Sequence, residues 1–493
     1  MNSILSLSNL EFLGSWWLLG EWVIRLISLY IVPKNRKPSS GMAWLLLIFF
    51  FPSFGMIIFL ILGNPKLPKA RRNAQKTLND LISQTVKKLK VSHLDKKGLE
   101  VKVPLKYEQI SKLSESLSKL PPFGGNKIDI LDDYEGVINS IVADLDKAKI
   151  YIHLEYFIIS MDSLTLPIFD ALKRAVDRGV IVRVMYDSFS TKKYNGYRKM
   201  IKRMVLDGVF VQEMLPLRLP GRGYVRPDLR NHRKIVIVDG KIGYSGSQNL
   251  IQRNYHRDDD IYYDELVARI HGPVVLELDA IFLTDWFSET GKLLDYETYT
   301  DISIDNSTIG NSTAQILPSG PGYEDENNLK IFTSLIYQAT ERIVLVNPYF
   351  VPDDSLLIAI TSAAKRGVEV ILINSQAEDQ WLVAHAQRSF YEILLKAGVK
   401  IFRYKAPILL HSKFITIDGE VATIGSSNLD IRSFELDLEI TVIIYDPKVV
   451  EKLIIIENKY LKKSDQLSLA EWKKRPRHKI LFDNIARLTA SLQ

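Results

Sequence analysis

The feature that most constrains this chain is a long-range internal repeat. The segment NHRKIVIVDGKIGYSGSQNL, residues 231–250, returns as LHSKFITIDGEVATIGSSNL, residues 410–429. At a constant offset of 179 residues, without a gap, identical residues align: His232 with His411, Lys234 with Lys413, Asp239 with Asp418, Ser247 with Ser426, and Asn249 with Asn428. Repeats of about 20 to 50 residues indicate solenoids or propellers, so this longer period predicts two copies of a whole domain. Core packing does not require identity at histidine, lysine and asparagine.

The same order of elements precedes each copy of the motif. A strand, a helix and a second strand are predicted at 147–158, 166–180 and 181–187, and again at 341–351, 355–368 and 369–375. Both helices end in Arg-Gly-Val, where the glycine is placed as a C-cap. Apolar strands that alternate with helices predict a sheet covered on both faces. The sequence therefore predicts an α/β protein made of two similar repeats.

Within each copy, the histidine and the lysine stand two residues apart on a predicted strand. Alternate side chains of a strand project from one face, so His232 and Lys234 project together. The Asp-Gly pair that follows is typical of a hairpin turn, and the returning strand brings Asn249 back beside them. We count Asp239 and Asp418 with the catalytic motif, although we expect them to hold the turn and not to touch a substrate.

The residue types favour phosphodiester chemistry over other reactions. The chain has no cysteine, and a lysine beside each histidine disfavours a metal ion. The segment GYSGS at 243–247 only approaches the Gly-x-Ser-x-Gly pattern of serine hydrolases, and Gly-rich phosphate loops are absent. Two lysines and two asparagines, with Ser247 and Ser426 counted among the phosphate-binding residues, would stabilise charge on phosphate oxygens. One histidine would attack phosphorus while the other protonates the leaving alkoxide, without metal or cofactor.

A histidine nucleophile requires the correct tautomer, which a carboxylate at the far ring nitrogen would set. Two glutamates on predicted strands are candidates: Glu439 in LDLEITVII and Glu265 in DDDIYYDELVARI. Asp264 is an alternative to Glu265, and surface carboxylates remain an alternative reading for both positions.

The first sixty residues predict membrane attachment. Residues 41–63 contain no charged residue, and a membrane-spanning helix needs about 20 predominantly apolar residues. Residues 12–32 carry Glu21 and Arg25, and we favour a second span there over an interfacial helix. Basic residues are more numerous after the second span than between the two, so we expect the rest of the chain to face the cytoplasm. The net charge of +7 is compatible with anionic partners.

The chain thus divides into four predicted parts. They are a membrane anchor of two apolar helices at 1–64, a basic juxtamembrane helical region at 65–125, closed by PPFGGN, and two repeats at 126–310 and 311–493. The charge-free stretch argues for lipid and against nucleic acid as the anionic partner.

The motif His-x-Lys-x4-Asp-x6-Gly-Ser-x-Asn, present twice, resembles the phospholipase D superfamily. Other segments resemble its bacterial cardiolipin synthases: RNHRKIVIVDG at 230–240, SGPGYEDEN at 319–327, NPYFVPDDS at 347–355, RSFYEILLKAGVKI at 388–401 and SSNLDIRSFELDLE at 426–439. The resemblance implies a pseudo-twofold α/β fold with mixed sheets flanked by helices, and a site between the halves. It also implies conversion of two phosphatidylglycerol molecules to cardiolipin and glycerol through a phosphatidyl-histidine intermediate.

The resemblance further implies a multi-pass protein of the bacterial cell membrane that acts on phosphatidylglycerol among anionic lipids, without nucleic acid, and is compatible with an oligomer. By analogy His232 is the nucleophile and His411 the general acid, although the symmetric sequence leaves this open. Glu265 stands where many relatives are expected to have aspartate, which leaves the orienting residue of the first half open. The alternatives are a phospholipase D-type hydrolase or transphosphatidylase of other phospholipids, a nuclease, and a non-catalytic scaffold.

Overall fold

The structure is a computed structural model that describes residues 2–34, 36–78, 100–217, 224–294 and 310–489 of the 493-residue chain. The chain forms two compact units. The smaller consists of Met1–Lys66 with Leu217–Asp228, and the larger of Leu67–Pro216 with Leu229–Gln493.

The helices described in the smaller unit are α1 (Asn2–Ile31), α2 (Pro38–Phe50) and α3 (Pro52–Leu62). The apolar stretch 41–63, expected as one helix, is divided between α2 and α3. At the junction Phe51 has φ −133° and ψ 73°, because a proline disfavours helical backbone at the residue before it and has no N–H to donate. Across the described ranges, no helix combines the length and the apolar character needed to cross a membrane.

Among its described residues the larger unit has twenty strands, and sixteen of them form one sheet. The strands of the first half are β1 (Phe123–Leu131), β2 (Tyr151–Tyr156), β3 (Ile181–Asp187), β4 (Phe210–Met214), β5 (Arg230–Asn231), β6 (Lys234–Val238), β7 (Ile242–Gly246), β8 (Tyr262–Asp264) and β9 (Val267–His271). Those of the second half are β10 (Ser312–Ser319), β11 (Arg342–Val346), β12 (Phe350–Val351), β13 (Glu369–Ser375), β14 (Lys400–Tyr404), β15 (Ile408–Leu410), β16 (Phe414–Ile417), β17 (Val421–Gly425), β18 (Leu429–Asp430), β19 (Asp437–Ile444) and β20 (Ser464–Leu467).

Helices and helical turns connect these strands. A short 3-10 helix, Leu105–Tyr107, precedes them, and residues 69–78 are also helical. The helices are α4 (Glu108–Ser118), α5 (Tyr134–Leu145), α6 (Leu166–Asp177), α7 (Ser188–Thr191), α8 (Tyr197–Leu206), α9 (Val275–Thr290), α10 (Asn327–Gln338), α11 (Asp354–Lys365), α12 (Trp381–Ala397), α13 (Ile431–Glu435), α14 (Pro447–Lys462), α15 (Leu469–Trp472) and α16 (Arg477–Leu488).

The sheet has the pseudo-twofold order that two related repeats predict. Its centre is the antiparallel pair β1–β10. Outward from that pair, the first half runs β9-β7-β6-β2-β3-β4 and the second runs β19-β17-β16-β11-β13-β14. The pairing directions also match, because β2–β3 and β11–β13 are parallel whereas β6–β7 and β16–β17 are antiparallel. The prediction of a mixed α/β fold with two repeats is therefore confirmed.

Each half has a core between its helices and its central strands. In the first half, α5 and α6 cover one face of β2 and β3, while Phe282 of α9 stacks on His153 from the other face, with ring centroids 4.2 Å apart. The strands predicted at 181–187 and 369–375 are β3 and β13. Strands buried on both faces read as continuous apolar runs, which is why these two were visible in the sequence.

The segment PPFGGN differs from its expected role. It was expected to close the helical region, but β1 already begins at Phe123. Its pairing with β10 is irregular between Phe123 and Asn126, where Gly125 has φ 75°. The two glycines are part of a bulged strand, and bulges commonly place glycine in this left-handed conformation.

Candidate active site

The two Asp-Gly hairpins have the predicted turn geometry. Asp239 and Gly240 have φ values of 52° and 61°, and Asp418 and Gly419 have 51° and 69°. Aspartate and glycine tolerate this region better than other residues. The turns connect β6 to β7 and β16 to β17 in antiparallel register.

The aspartates of these turns bind backbone and do not face the histidines. Asp239 accepts hydrogen bonds of 2.8–2.9 Å from the N–H groups of Lys149, Ile150 and Tyr151, where β2 begins. Asp418 accepts from Thr340, Glu341 and Arg342 in the same way at β11, and Lys106 also contacts it. These residues, which the sequence grouped with the catalytic motif, anchor the far end of each motif hairpin.

Burial opposes ionisation of Asp418. Hydrogen bonds from Lys106 and from backbone N–H groups outweigh that effect, so the pKa of this carboxyl lies well below its usual range. Asp418 is therefore a charged structural anchor.

The strand before each histidine pairs with a strand of the opposite half. Strand β5 pairs in parallel with β19, placing Asn231 beside Leu438, and the N–H of His232 donates to the Leu438 carbonyl at 2.9 Å. Strand β15 pairs in parallel with β8, and the N–H of His411 donates to the Asp264 carbonyl at 2.7 Å. Each histidine is thus fixed by backbone from the other repeat.

This pairing places a glutamate from one half against the histidine of the other. Nδ1 of His232 lies 2.9 and 3.1 Å from the two carboxylate oxygens of Glu439. Nδ1 of His411 lies 2.8 Å from Oε1 of Glu265. In both cases the glutamate directly follows the residue whose carbonyl accepts the histidine N–H. The contacts leave Nε2 of each ring for chemistry.

Asp264, the alternative to Glu265, has other partners. Its carboxylate accepts from the hydroxyl of Tyr404 at 2.8 Å and pairs with Arg253. Position 265 has glutamate where aspartate was expected in many relatives, and its carboxylate still contacts His411.

The motif serines support the glutamates. The hydroxyl of Ser426 donates to Glu439 and accepts from the N–H of Ile440 at 3.0 Å. Ser247 accepts from the N–H of Leu266 at 2.9 Å, and its hydroxyl donates to the Leu266 carbonyl at 3.2 Å, next to Glu265. Both serines are fully buried. The sequence had counted these hydroxyls among phosphate-binding groups. In the structure the Ser426 hydroxyl donates to the Glu439 carboxylate, and the Ser247 hydroxyl donates to the backbone beside Glu265.

The glycine before each serine allows this contact. A Cβ at Gly246 would lie 2.3 Å from the Leu266 carbonyl oxygen, and one at Gly425 would lie 2.2 Å from that of Ile440. No real Cβ is accommodated at such a distance, so the strands can approach only where this side chain is absent. The glycine and the serine of each motif thus fix the segment that carries the glutamate.

The motif lysines lie beside the histidines. Lys234 Nζ donates to the His232 carbonyl at 2.6 Å, and Lys413 Nζ donates to the His411 carbonyl at 2.8 Å. Each ammonium has three protons, so two remain available for an anion. Both lysines are buried, where a bound phosphate would offset the cost of desolvation.

The asparagines retain unused polar atoms. Asn249 Nδ2 donates to the Tyr255 hydroxyl at 3.2 Å. Within the described part of the chain, Oδ1 of Asn249 and Oδ1 of Asn428 are buried without a hydrogen-bond partner. Buried amide oxygens of this kind are uncommon, and these two could accept hydrogen bonds from hydroxyl groups of a substrate.

Electrostatic effects connect the two halves of the site. Burial lowers the pKa of His232 to about 4; Glu439 opposes this shift, while Lys234 and, from the other half, Lys413 add to it. Burial likewise lowers the pKa of Lys234 to about 7 and that of Lys413 to about 8. The pKa of His411 is also lowered, by burial first and against the influence of Glu265. The imidazole of His232 is therefore neutral near pH 7, as a nucleophile requires.

Several aromatic residues around the histidines were not identified from the sequence. The ring of Phe157 contacts His232 edge-on, with centroids 4.7 Å apart. Tyr263 and Tyr349 contact His411 at 5.5 and 6.0 Å, and both donate to Asp379, at 3.2 and 2.6 Å. Position 349 lies in the quoted NPYFV segment, which was the available signal.

Comparisons with known proteins agree on one family. The family model "Cardiolipin synthase, PLD-like domain" matches residues 141–286 and 332–458, and "Phospholipase D-nuclease N-terminal" matches 22–64. The chain is 34% identical over 490 residues to cardiolipin synthase A of Wigglesworthia glossinidia brevipalpis, covering 96% of this chain and 94% of the relative. It is 34% identical over 482 residues to cardiolipin synthase A of Proteus mirabilis, covering 95% of each.

A solved structure shares the fold. Phosphatidylserine synthase of Haemophilus influenzae superposes with a TM-score of 0.58 at 14% identity, covering 78% of this chain and 99% of the other. Paired histidine–lysine motifs, two repeats in one mixed sheet and full-length relatives lead to one conclusion: this chain belongs to the cardiolipin synthase family of the phospholipase D superfamily.

Proposed function

We propose that the protein is a phosphatidyltransferase that joins two phosphatidylglycerol molecules into cardiolipin and releases glycerol. The observation that carries the proposal is the crossed arrangement of the site, in which each half's imidazole is held at Nδ1 by the other half's glutamate. Two such imidazoles, each with a lysine, provide one nucleophile and one proton donor for a single phosphodiester. The names of the relatives that match over nearly the whole chain support cardiolipin as the product.

In the first step, Nε2 of neutral His232 attacks the phosphorus of phosphatidylglycerol. A P–N bond forms and the bond from phosphorus to the glycerol oxygen breaks, while His411, in its protonated form, transfers the Nε2 proton to that oxygen. Lys234 and Lys413 stabilise the negative charge on the non-bridging oxygens. Glu439 stabilises the positive charge that develops on the His232 ring.

In the second step, the neutral His411 removes a proton from the hydroxyl of a second phosphatidylglycerol. The resulting oxygen attacks phosphorus, the P–N bond breaks and the electron pair returns to His232. Protons and charges are thus restored after one cycle, so no metal or cofactor is required. Phosphatidyl transfer instead of hydrolysis requires that the acceptor lipid exclude water from the intermediate.

We also propose that the protein is held at the bacterial cell membrane by its N-terminal helices, with the catalytic halves facing the cytoplasm. The helices of the smaller unit expose many large apolar side chains, namely Trp16, Trp17, Trp22, Leu46, Phe50, Phe54, Ile57 and Leu60. Surfaces of this kind are costly in water and favourable in lipid. The four-part division at residues 64, 125 and 310 belongs to the same proposal.

The direct test incubates the purified full-length protein with phosphatidylglycerol vesicles and separates the lipid products. We expect cardiolipin and free glycerol from the native chain, and no product from His232→Ala or His411→Ala. His271→Asn, at the end of β9 and half-exposed, is the matched control and should retain activity. Phosphatidic acid without cardiolipin would instead identify a hydrolase, and the absence of any lipid product would refute the proposal.

The identity of the nucleophile is tested by trapping the intermediate. Because the P–N bond is labile in acid, the reaction with phosphatidylglycerol is quenched in alkaline denaturant, and peptide mass spectrometry should locate the phosphatidyl group on His232. A modified His411 peptide would reverse the two roles while leaving the overall reaction intact.

A further inference from the structure

A second apolar surface lies on the larger unit, formed by α16 and the start of α12. Its large side chains are mostly in solvent: Leu481, Phe482, Ile485 and Leu488 are 58, 49, 51 and 83% exposed, and Trp381 is 63% exposed. With 3.6 residues per turn, the four residues of α16 share one face of the helix. We call this set of five residues the α16 surface.

The opposite face of α16 attaches it firmly to the protein. Asp483 is buried, and its carboxylate accepts from His385 Nδ1 at 2.7 Å, from Arg388 at 3.3 Å and from Arg475 at 2.6 Å. Ala486 is buried on the same face. The exposed apolar face is therefore the outer side of a docked helix and not the result of a helix that has failed to pack.

The charges along α16 and the residues that precede it are mainly positive. Residues 473–488 contain six lysines and arginines and one acidic residue, Asp483, which is buried and paired. The basic residues are Lys473, Lys474, Arg475, Arg477, Lys479 and Arg487. An apolar helix face bordered by cations is the pattern of helices that lie in the interface of an anionic membrane.

The α16 surface is also connected to the active site. Asp379, two residues before Trp381, accepts the hydroxyl hydrogen bonds of Tyr263 and Tyr349, whose rings contact His411. From there the aromatic contacts continue outward, because Trp381 lies 4.3 Å from the His385 ring and His385 lies 6.3 Å from Phe482. A lipid surface at α16 would thus lie beside the part of the site that holds His411.

We propose that the α16 surface inserts into the headgroup region of an anionic phospholipid bilayer and places the His411 side of the site at the lipid surface. The inference deepens the proposed function and rests on it, because the acceptor that His411 deprotonates is itself an anionic lipid. A protein partner of opposite charge would need acidic residues to match the six cations, whereas a phosphatidylglycerol bilayer supplies both anionic headgroups and an apolar layer.

The first experiment measures insertion directly. The native chain has no cysteine, so Ile485→Cys gives a single attachment point for an environment-sensitive fluorophore. Val205→Cys is the control, because Val205 is 58% exposed but lies elsewhere on the protein. It belongs to α8, which packs on β4. Strand β4 is at one end of the sheet, and β14 is near the other end. Full-length protein is placed in vesicles containing equal parts of phosphatidylglycerol and phosphatidylcholine, with some lipids carrying a nitroxide.

We expect the nitroxide lipids to quench the label at 485 and not the label at 205, with weaker quenching in phosphatidylcholine alone. If aqueous iodide reaches both labels equally, the α16 surface is in water and the inference is wrong. If the label at 485 is shielded from iodide but is not quenched by the nitroxide lipids in any vesicle, another copy or segment covers it and the inference is equally wrong.

The second experiment separates docking from chemistry. The variant Leu481→Gln/Ile485→Gln/Leu488→Gln removes apolar side chains while retaining helix-forming residues. We expect its kcat/KM on phosphatidylglycerol vesicles to fall at least about tenfold, with unchanged turnover of a short-chain, monomeric phosphatidylglycerol. The double variant Val205→Gln/Leu206→Gln is the control for loss of exposed apolar surface.

The outcomes distinguish the two proposals. If the native chain makes cardiolipin from both substrates and the triple variant uses vesicles equally well, docking through α16 is refuted and the proposed function stands. If the native chain makes no cardiolipin from either substrate, the proposed function fails, and with it the reason for this surface to meet the acceptor lipid.

Discussion

Replacing Glu439 with glutamine tests the crossed site at its most sensitive point. Glutamine has the same size and can still accept a hydrogen bond from His232 Nδ1, but it has no charge. Glu439 is fully buried, and its nearer oxygen lies 2.9 Å from Nδ1. The substitution therefore removes the charge opposite the ring while leaving the packing of β19 nearly intact.

The expected loss follows from the energy of that charge pair. Unit charges about 4 Å apart attract by about 4 kcal/mol at the effective dielectric constant of about 20 that suits protein sites. This attraction acts fully on the phosphorylated, positively charged ring and hardly on the neutral one. Because about 1.4 kcal/mol corresponds to a factor of ten in rate, Glu439→Gln should slow formation of the intermediate about 10³-fold.

A substrate with an activated leaving group identifies which step each glutamate serves. Phosphatidyl-p-nitrophenol releases an anion that needs no proton, so its first step does not depend on His411. We expect Glu439→Gln to slow the nitrophenol burst severely. Glu265→Gln, which weakens only the acid–base histidine, should give a burst close to that of the native chain and then accumulate the phosphatidyl-enzyme.

The exposed Glu451 on α14 provides the control, and Glu451→Gln should leave both phases unchanged. A fast burst in Glu439→Gln together with a slow one in Glu265→Gln would assign the nucleophile to His411. A normal burst and normal turnover in both variants would refute the reasoning altogether, because the carboxylates would then contribute nothing to either histidine.

Three further predictions follow from the site and its supports. The pH profile of kcat/KM should fall below about pH 4, as His232 becomes protonated. It should also fall toward alkaline pH, as His411, whose pKa burial lowers, loses the proton that it donates and Lys234, with its pKa of about 7, loses its charge. A rate that keeps rising to pH 10 would contradict both roles. Asp418→Ala, which removes an acceptor of three backbone N–H groups, should lower the free energy of unfolding by about 2–4 kcal/mol in urea titrations and leave kcat of the folded fraction unchanged. Gly425→Ala should instead lower kcat, because the new Cβ displaces the Ile440 carbonyl 2.2 Å away. Thermal melting and kinetics measured on one preparation separate a loss of stability from a loss of kcat.

The sequence predicted the local elements well where their signals were local. The buried strands at 181–187 and 369–375 and the two Asp-Gly hairpins are present as expected, because apolar runs and turn chemistry depend on neighbouring residues. The prediction of a single helix at 41–63 was wrong, because Pro52 divides the stretch into two helices. A hydropathy pattern averages over many residues and does not show a change in backbone conformation at one of them.

The site was predicted in part, and the missing part was non-local. Both histidines, both lysines and both glutamates were named from the sequence, but each glutamate belongs to the opposite repeat from the histidine it contacts. Nothing in the spacing of residues shows that β5 pairs with β19 or that β15 pairs with β8. The contacts of Ser247 with Leu266 and of Ser426 with Glu439 lie within one half, 19 and 13 residues apart. They were missed because the sequence does not show that β7 pairs with β9 or that β17 pairs with β19.

The crossed strand pairs also explain why the repeat has to occur twice in one working site. A single half would carry a histidine without its carboxylate and a carboxylate without its histidine, so neither ring would have a fixed tautomer. In the native chain, the strand pairs β5–β19 and β15–β8 join the two halves. The same pairs place Glu439 and Glu265 beside the histidines. Any movement that separates the halves therefore disorders both histidines together. In a ping-pong reaction the nucleophile and the acid–base catalyst must both be in position within one cycle, and the shared strand pairs ensure that they are positioned together.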